Sequence, residues 1–390
     1  MSTIVEPQHK RDLKAVAEQI ARDVVAPAAG SVDRAARFPS EAVVALREAR
    51  LLSALIPVEL GGEGASLLEV AAVVETLGRA CASSSMLYAM HQIQVACLVR
   101  HHRDSPWLLD YIRKVADGEL LLASATSEAG IGGDVRNSLC SLDWEGDRFH
   151  LVKQASVISY GEAADGVLAT ARRDPDSASS DQVLVVVPIT EGVLEMRGTW
   201  DTLGFRGTCS LGFVLTASGD AGQVLPAPYA EISAQTMLPV SHVLWTHVWL
   251  GIAAGAVHRA RALLRAEARK NPGQEPPKSR RLAETVAVLQ QFRELVDGSS
   301  RHYASIMDDE DALNSMTFAI RMNNLKVSGS QAVVDVVSRA MFVCGMAGYR
   351  EDSPYSLGRS LRDAYGAALM INNDRIFEAN ARLLLVSKDD

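Results

Sequence analysis

The sequence predicts an α+β fold: an N-terminal helical domain, a small central β domain and a C-terminal four-helix bundle. Three observations predict it. Apolar residues recur at helical spacing from residue 9 to about 117, short β-branched runs between turn signals fill 121 to about 225, and helical spacing returns after Pro226. The domain boundaries expected from these changes are 1–120, 121–228 and 229–390.

Each segment supports its place in that order. Leu13, Val16, Ile20, Val24 and Val25 form one helical stripe, and Val70, Val73, Val74 and Leu77 form another. Between them, Ile56-Pro57-Val58-Glu59-Leu60-Gly61-Gly62-Glu63-Gly64 cannot continue a helix and predicts a structured loop. In the middle, the runs 149–152, 166–170 and 182–187 suit strands, with Glu145-Gly146-Asp147 and Asp174-Pro175-Asp176 as turns. Further on, Trp249, Ile252, Ala253, Ala256, Val257, Ala260, Leu263 and Leu264 step by three and four residues along one helix. Residues 270–279, with three prolines and a glycine, break it, and further helices are expected over 282–296, 314–342 and 360–385.

Composition narrows the function classes. A chain of 390 residues, 48% of them hydrophobic, buries more than one core. The formal charge of -8 is spread along the chain and leaves no basic stripe for a phosphate backbone, so no nucleic-acid partner is expected. The first residues lack an apolar signal core, and no stretch keeps eighteen consecutive apolar residues free of charge; the expectation is a cytoplasmic protein with no membrane partner. Five separated cysteines form no CxxC pair and nine scattered histidines form no ligand motif, so no metal is expected.

The chemistry-bearing candidates begin at Ser127-Glu128-Ala129-Gly130-Ile131-Gly132-Gly133-Asp134. A turn built from Gly130, Gly132 and Gly133 lets backbone amides approach a flat polar heterocycle, and the hydroxyls of Ser124, Thr126 and Ser127 add donors. The plainer alternative is an ordinary glycine-rich β turn. Later segments of note are Leu203-Gly204-Phe205-Arg206-Gly207-Thr208-Cys209-Ser210, Gly345-Met346-Ala347-Gly348-Tyr349 and Leu361-Arg362-Asp363-Ala364.

With the 56–64 loop, these segments resemble, in order and over nearly the whole chain, the landmarks of the acyl-CoA dehydrogenase superfamily. The resemblance implies a flavin adenine dinucleotide (FAD) held by Ser124, Thr126, Ser127, Gly132, Gly133 and the Val157-Ile158-Ser159 segment. There Ser159 would offer its hydroxyl to flavin N5, and Val157 replaces the tryptophan that shields the ring edge in the family, which widens the space unless a neighbour fills it. Ser159 bonded only to backbone in a plain strand is the alternative. Asn373 and Arg375 fall in the segment after the family's catalytic position, Arg375 as a phosphate contact or simply a solvated charge. Glu128 is expected to brace the turn, and Arg206, Arg362 and Asp363 to form interdomain salt bridges.

The pattern breaks at the base. The family takes the substrate's α-proton with a glutamate, nine residues after the arginine of Arg-Asp-Ala or, in some members, on the first bundle helix. Those positions are Ile371 and Ser241, neither of which accepts a proton near neutral pH. The replacement candidates are His91 and His242; for each the alternative is a hydrogen-bonded structural histidine. The family's Arg-x-x-Phe-Gly contact to a neighbouring subunit is also absent, replaced by residues 269–274, and Phe342 stands where the family has glutamine.

These readings predict a flavin-dependent oxidoreductase that desaturates an acyl thioester carried on coenzyme A or a carrier protein, using a non-standard base. The alternatives are a flavin monooxygenase or oxidase on the same fold, and a non-catalytic binding relative. The resemblance implies a homotetramer or homodimer, with a long apolar helix over 364–386 in the interface, and an electron acceptor or a flavin reductase as a further partner.

Overall fold

The structure, a computed structural model, describes residues 11–132 and 134–386. Six helices open the chain: α1 (Leu13–Ile20), α2 (Ala26–Arg34), α3 (Ser40–Glu48), α4 (Leu67–Ala80), α5 (Ala82–His101) and α6 (Pro106–Gly118). A π turn at Ala21–Val25 joins α1 to α2. Ser66 starts α4 with a capping box: its hydroxyl accepts from Glu69 N–H and the Glu69 carboxylate accepts from Ser66 N–H, satisfying two amides that have no helical partner. Helix α5 is buried on nearly all sides, so its polar residues must find partners inside the protein.

Seven strands follow: β1 (Leu122–Ala125), β2 (Leu142–Glu145), β3 (Arg148–Ile158), β4 (Gly166–Arg172), β5 (Gln182–Pro188), β6 (Gly192–Arg197) and β7 (Leu211–Asp220). They form two sheets, β1-β4-β5 and β2-β3-β7-β6, with β1 parallel to β4 and the other pairs antiparallel. Strands β4 and β5 are buried along almost their whole length, as their unbroken apolar runs require. In β3 burial alternates residue by residue, the signature of a sheet with one wet face.

The remaining helices are α7 (Tyr229–Ile232), α8 (Leu238–Lys270), α9 (Ser279–Ile306), α10 (Glu310–Leu313), α11 (Met316–Cys344), α12 (Met346–Tyr349), α13 (Gly358–Gly366) and α14 (Asn373–Leu384). The long rods α8, α9 and α11 pack together, and α8 crosses α4 where a Cβ on Gly251 would lie 2.5 Å from Glu75 O; only glycine permits that approach. Buried Glu75 clamps α4 to α9 through Arg293 (2.7 and 3.0 Å), and Arg293 and Arg79 hold its carboxyl down at about 2 despite its burial. Helices α8 and α11 carry windows long and apolar enough to cross a membrane; 89% of the first is buried within the protein, as in a core helix, and 50% of the second.

One expectation needs correction. The single last helix over 364–386 is two helices, because the chain turns through 367–372 and Ile371 takes a left-handed φ of +52°. Asn372 then caps α14, its side chain accepting from Asp374 N–H.

Candidate functional site

The glycine turn after β1 is built as its sequence requires. Gly130 and Gly132 have φ of +94° and +60°, where a side chain is strained. Ser127 locks the start of the turn to β3: its Oγ donates to Val157 O at 3.0 Å and accepts from Val157 N–H at 3.2 Å. Glu128 points inward and its carboxylate accepts from Leu139 N–H (3.1 Å), Cys140 N–H (2.8 Å) and Lys153 Nζ (3.1 Å). Lys153, fully buried, also donates to Thr170 O at 2.9 Å. The turn therefore rests on a buried ion pair, and Glu128 has the bracing role expected of it. Ser124 and Thr126 are half-buried at the end of β1, and Gly133 lies outside the described residues.

Opposite the turn, the β3–β7 ladder skips one residue between Ala155 and Ile158, a bulge that turns Ser156 and Val157 outward. Ile158 is fully buried in the sheet core, so its side chain offers nothing to a ligand and that candidacy narrows to its backbone. Val157, 38% exposed, lines a groove of about 530 Å³ together with Ala129, Gln154, Ser210 and Trp200. Trp200 lines the same groove, and its Nε1–H donates to Phe205 O at 3.3 Å. Ser159 is buried and sits in a chain of hydroxyls, Oγ to Oγ of Ser210 at 2.7 Å and Ser210 to Thr208 Oγ1 at 2.8 Å. Its partners are thus side chains of the 203–210 segment. Tyr160, Phe205 and Cys209, all at positive φ, frame that chain; such strain persists only where surrounding packing fixes it.

One residue of the bundle also reaches the turn. A Cβ on Gly132 would lie 3.9 Å from Arg375 Nη2, so the α14 guanidinium faces the glycine turn. Asn373, in contrast, turns inward: its Oδ1 accepts from Lys326 Nζ at 2.7 Å and its Nδ2–H donates to Ser330 Oγ at 3.0 Å. It braces the 371–373 loop, a correction to its expected contact. Lys326 also donates to Ile371 O at 2.5 Å. No carboxylate pairs with this buried lysine among the described residues, and burial pulls it down to about 8.

The two histidines part company. His91 is buried and both ring nitrogens are used: Nε2–H donates to Leu52 O at 2.7 Å, and Nδ1 accepts from Leu122 N–H at 3.0 Å. Burial pushes it down to about 4. It is a fastener between α5 and β1, and its candidacy as a base is withdrawn. His242 donates through Nδ1–H to Met322 O at 3.0 Å, one turn before Lys326 on α11, while its buried Nε2 has no partner. Ser241 donates to Met237 O within its own helix at 2.5 Å. Of the candidates, only His242 keeps an uncommitted lone pair.

The expected interdomain ion pair forms at Arg362, whereas Arg206 takes its carboxylate partner, Asp201, from its own domain at 3.0 Å. Arg206 and Arg362 converge on Asp33, the first on its backbone oxygen and the second on its carboxylate. Asp363 is not an ion-pair partner: buried, with its carboxyl pushed up to about 6, it accepts from Phe205 N–H at 2.7 Å. Sequence reasoning passed over Lys153 and Lys326, yet both left a signal. Lys153 alternates in register with inward-facing Phe149, Leu151 and Ala155, and Lys326 falls on the α11 stripe of Met322, Gly329 and Val333. A charge in an apolar register needs an internal partner.

Comparison with known proteins gives consistent matches. Residues 7–119 match the family described as acyl-CoA dehydrogenase, N-terminal domain, and residues 233–370 match acyl-CoA dehydrogenase, C-terminal domain. A cyclohex-1-ene-1-carbonyl-CoA dehydrogenase of Geobacter metallireducens is 26% identical over 368 residues, covering 92% of this chain and 93% of that protein. The short-chain-specific acyl-CoA dehydrogenase of Clostridium acetobutylicum is 22% identical over 360 residues, 90% of this chain and 91% of its own. In fold, the chain resembles FMN-bound TdsC from Paenibacillus sp. A11-2 (TM-score 0.85, 20% identity, 97% and 98% of the two chains). It likewise resembles butyryl-CoA dehydrogenase from Megasphaera elsdenii (TM-score 0.80, 17% identity, 97% and 98%).

Proposed function

Because the chain belongs to the acyl-CoA dehydrogenase superfamily, we propose that it is a flavoprotein oxidoreductase that holds FAD and desaturates an acyl thioester between its α and β carbons without the usual glutamate. The observation that carries this reading is the glycine turn after β1, which Ser127 ties to Val157 and which Arg375 faces. The Gly130–Gly132 turn, the Ser159–Ser210–Thr208 hydroxyls and Arg375 supply backbone, hydroxyl and cationic groups for the ring and phosphates of a dinucleotide. Flavin bound there would supply the acceptor for the hydride from the β carbon.

The chain's own residues do the rest. Lys326 and Asn373 hold the loop that presents the peptide of Ile371, a donor for the thioester oxygen, and a donor fixed before reaction stabilises charge as it develops there. Ile371 itself takes no proton. His242, with Nε2 free, is the group proposed to receive the α-proton; burial pulls it down to about 3, so the role requires bound substrate both to reach the buried face of α8 and to raise the basicity of the ring there. Exposed apolar residues on the bundle, Phe342, Met346, Tyr349, Leu369 and Leu385, support self-association as a dimer or tetramer.

The absence of a carboxylate at both expected positions favours a second reading, a flavin-dependent monooxygenase supplied with reduced flavin by a separate reductase. One experiment separates them. Anaerobic addition of acyl-CoA thioesters to the yellow protein bleaches its visible flavin absorbance under the desaturase reading. No bleaching, with oxygen uptake only when a flavin reductase is added, establishes the second; a protein that takes up no flavin refutes both.

A further inference from the structure

A second groove, of about 450 Å³, opens between the α1–α2 rod, α4, α8 and α13. No strand residue lines it, so it is separate from the groove at Val157 described above. Its lining includes Arg259 and Arg359, with Arg22, Arg79 and Glu18 around them and Ala26 on the α2 side.

The charge arrangement is unusual. Arg22 is paired with Asp23 at 3.0 Å, Arg79 with Glu75 at 2.5 Å, and Glu18 lies 3.8 Å from Lys14. Arg259 and Arg359 have no carboxylate within ion-pair reach among the described residues. Arg259 donates one hydrogen bond, to Ser360 Oγ at 3.2 Å, and Arg359 one, to Ala80 O at 2.8 Å. Asp363, one turn beyond Arg359, accepts from Phe205 N–H and attracts Arg359 only from beyond ion-pair distance. Burial above all, and then the neighbouring Arg359 charge, pull Arg259 down to about 10, so the two guanidiniums lie close enough to repel each other. Each guanidinium carries five N–H donors in a planar fork, so most of the donors here are unused by the protein.

We propose that this groove is an oxyanion site in which Arg259 and Arg359 together grip the phosphate group of a small phosphate monoester. A tetrahedral oxyanion offers several acceptors to two forks at once, and it supplies the negative charge that the arginine pair lacks. The groove volume exceeds that of a bare phosphate, leaving room for the organic part of the ester beside Ala26.

Inorganic phosphate is the probe. At constant ionic strength, replacing chloride with phosphate should raise the melting temperature of the flavin-loaded wild-type protein, since a ligand that binds only the folded state stabilises it. Arg359→Gln should weaken that response by roughly tenfold in phosphate concentration, the worth of one charge-assisted contact. Ala26 is exposed at the start of α2, so Ala26→Glu tests the site without touching a buried residue. Its carboxylate should raise the melting temperature in chloride and remove the phosphate response. A wild-type protein that does not distinguish phosphate from chloride, or an undiminished response in both variants, overturns the proposal.

Discussion

Lys326 Nζ donates to the carbonyl of Ile371 at 2.5 Å and so ties a buried, carboxylate-free cation to a β-branched residue held at φ +52°. Isoleucine in the left-handed region is an outlier that persists only where its surroundings impose it. The α11 lysine, Asn373 and Ser330 are those surroundings. The loop at the proposed reaction centre is therefore set by a tertiary contact.

Lys326→Met tests that dependence. Methionine fills similar space without a charge, so global stability in urea should change by no more than about 2 kcal/mol at pH 7, whereas thioester-driven bleaching should slow by at least about tenfold as the loop loses its anchor. Bleaching at the wild-type rate would remove Lys326 as a positioning residue. The pH dependence distinguishes this from a packing defect. Lys326 falls from 10.5 to about 8 on folding, so between those values the unfolded chain holds a proton the folded one has lost. Stability from this group rises with pH across that window, and wild type should gain up to ~3 kcal/mol on the variant.

The order of the domains was legible because periodicity is set locally: the stripes at Leu13 and Val70 and the apolar run of β5 each show their own period. The break at Ile371 was not, because the apolar spacing runs on from Ala364 through Ile376 and what interrupts it is a lysine 45 residues earlier. His91 and His242 look alike in sequence, each a lone histidine on an apolar helix. Only the positions of Leu52 O and Leu122 N show that His91 has both nitrogens committed. The glycines of the turn after β1 were readable, whereas the Glu128–Lys153 pair beneath them required knowing that β3 turns its lysine inward.

That pair gives a second prediction. Glu128→Gln leaves Lys153 charged, buried and without its counter-ion, and should cost roughly 3–5 kcal/mol in urea unfolding. Adding Lys153→Met should recover a large part of the loss, and the double variant should retain less flavin than wild type if the turn depends on the brace. Independent, additive losses in the double-mutant cycle would show that the two side chains do not act as a pair.

Acid should unfold the protein through its histidines. Burial holds His91, His101 and His247 down at about 4 and His242 at about 3, so all four are neutral in the folded state. Between pH 6.5 and about 4 the unfolded chain takes up protons that the folded chain refuses, and stability falls as pH falls through that window. The limiting slope is ~1.4 kcal/mol per pH unit for each histidine. Urea midpoints measured from pH 7 to pH 4.5 should drop accordingly; a flat profile would mean that these side chains are more hydrated than the structure shows.

Two exposed apolar positions on the bundle make a prediction about assembly. Leu369 and Phe342 are 75% and 65% exposed in the single chain, and a charge at either position opposes burial against another copy. Leu369→Asp with Phe342→Asp should shift the mass measured by light scattering toward the monomer while leaving the helical content unchanged. An unaltered mass would place any interface elsewhere.

The final test separates the two histidines by what each variant loses. His91→Ala removes the acceptor of Leu122 N–H and one donor to Leu52 O in a buried site, so it should destabilise the fold by about 2–4 kcal/mol while the folded fraction still bleaches at the wild-type rate. His242→Asn preserves a donor toward Met322 O but offers no basic lone pair. It should slow thioester-driven bleaching by ~10²–10⁴, with flavin content unchanged. Full activity in His242→Asn would mean that no side chain takes the α-proton at this position, and would shift the weight to the monooxygenase reading, which needs no base there.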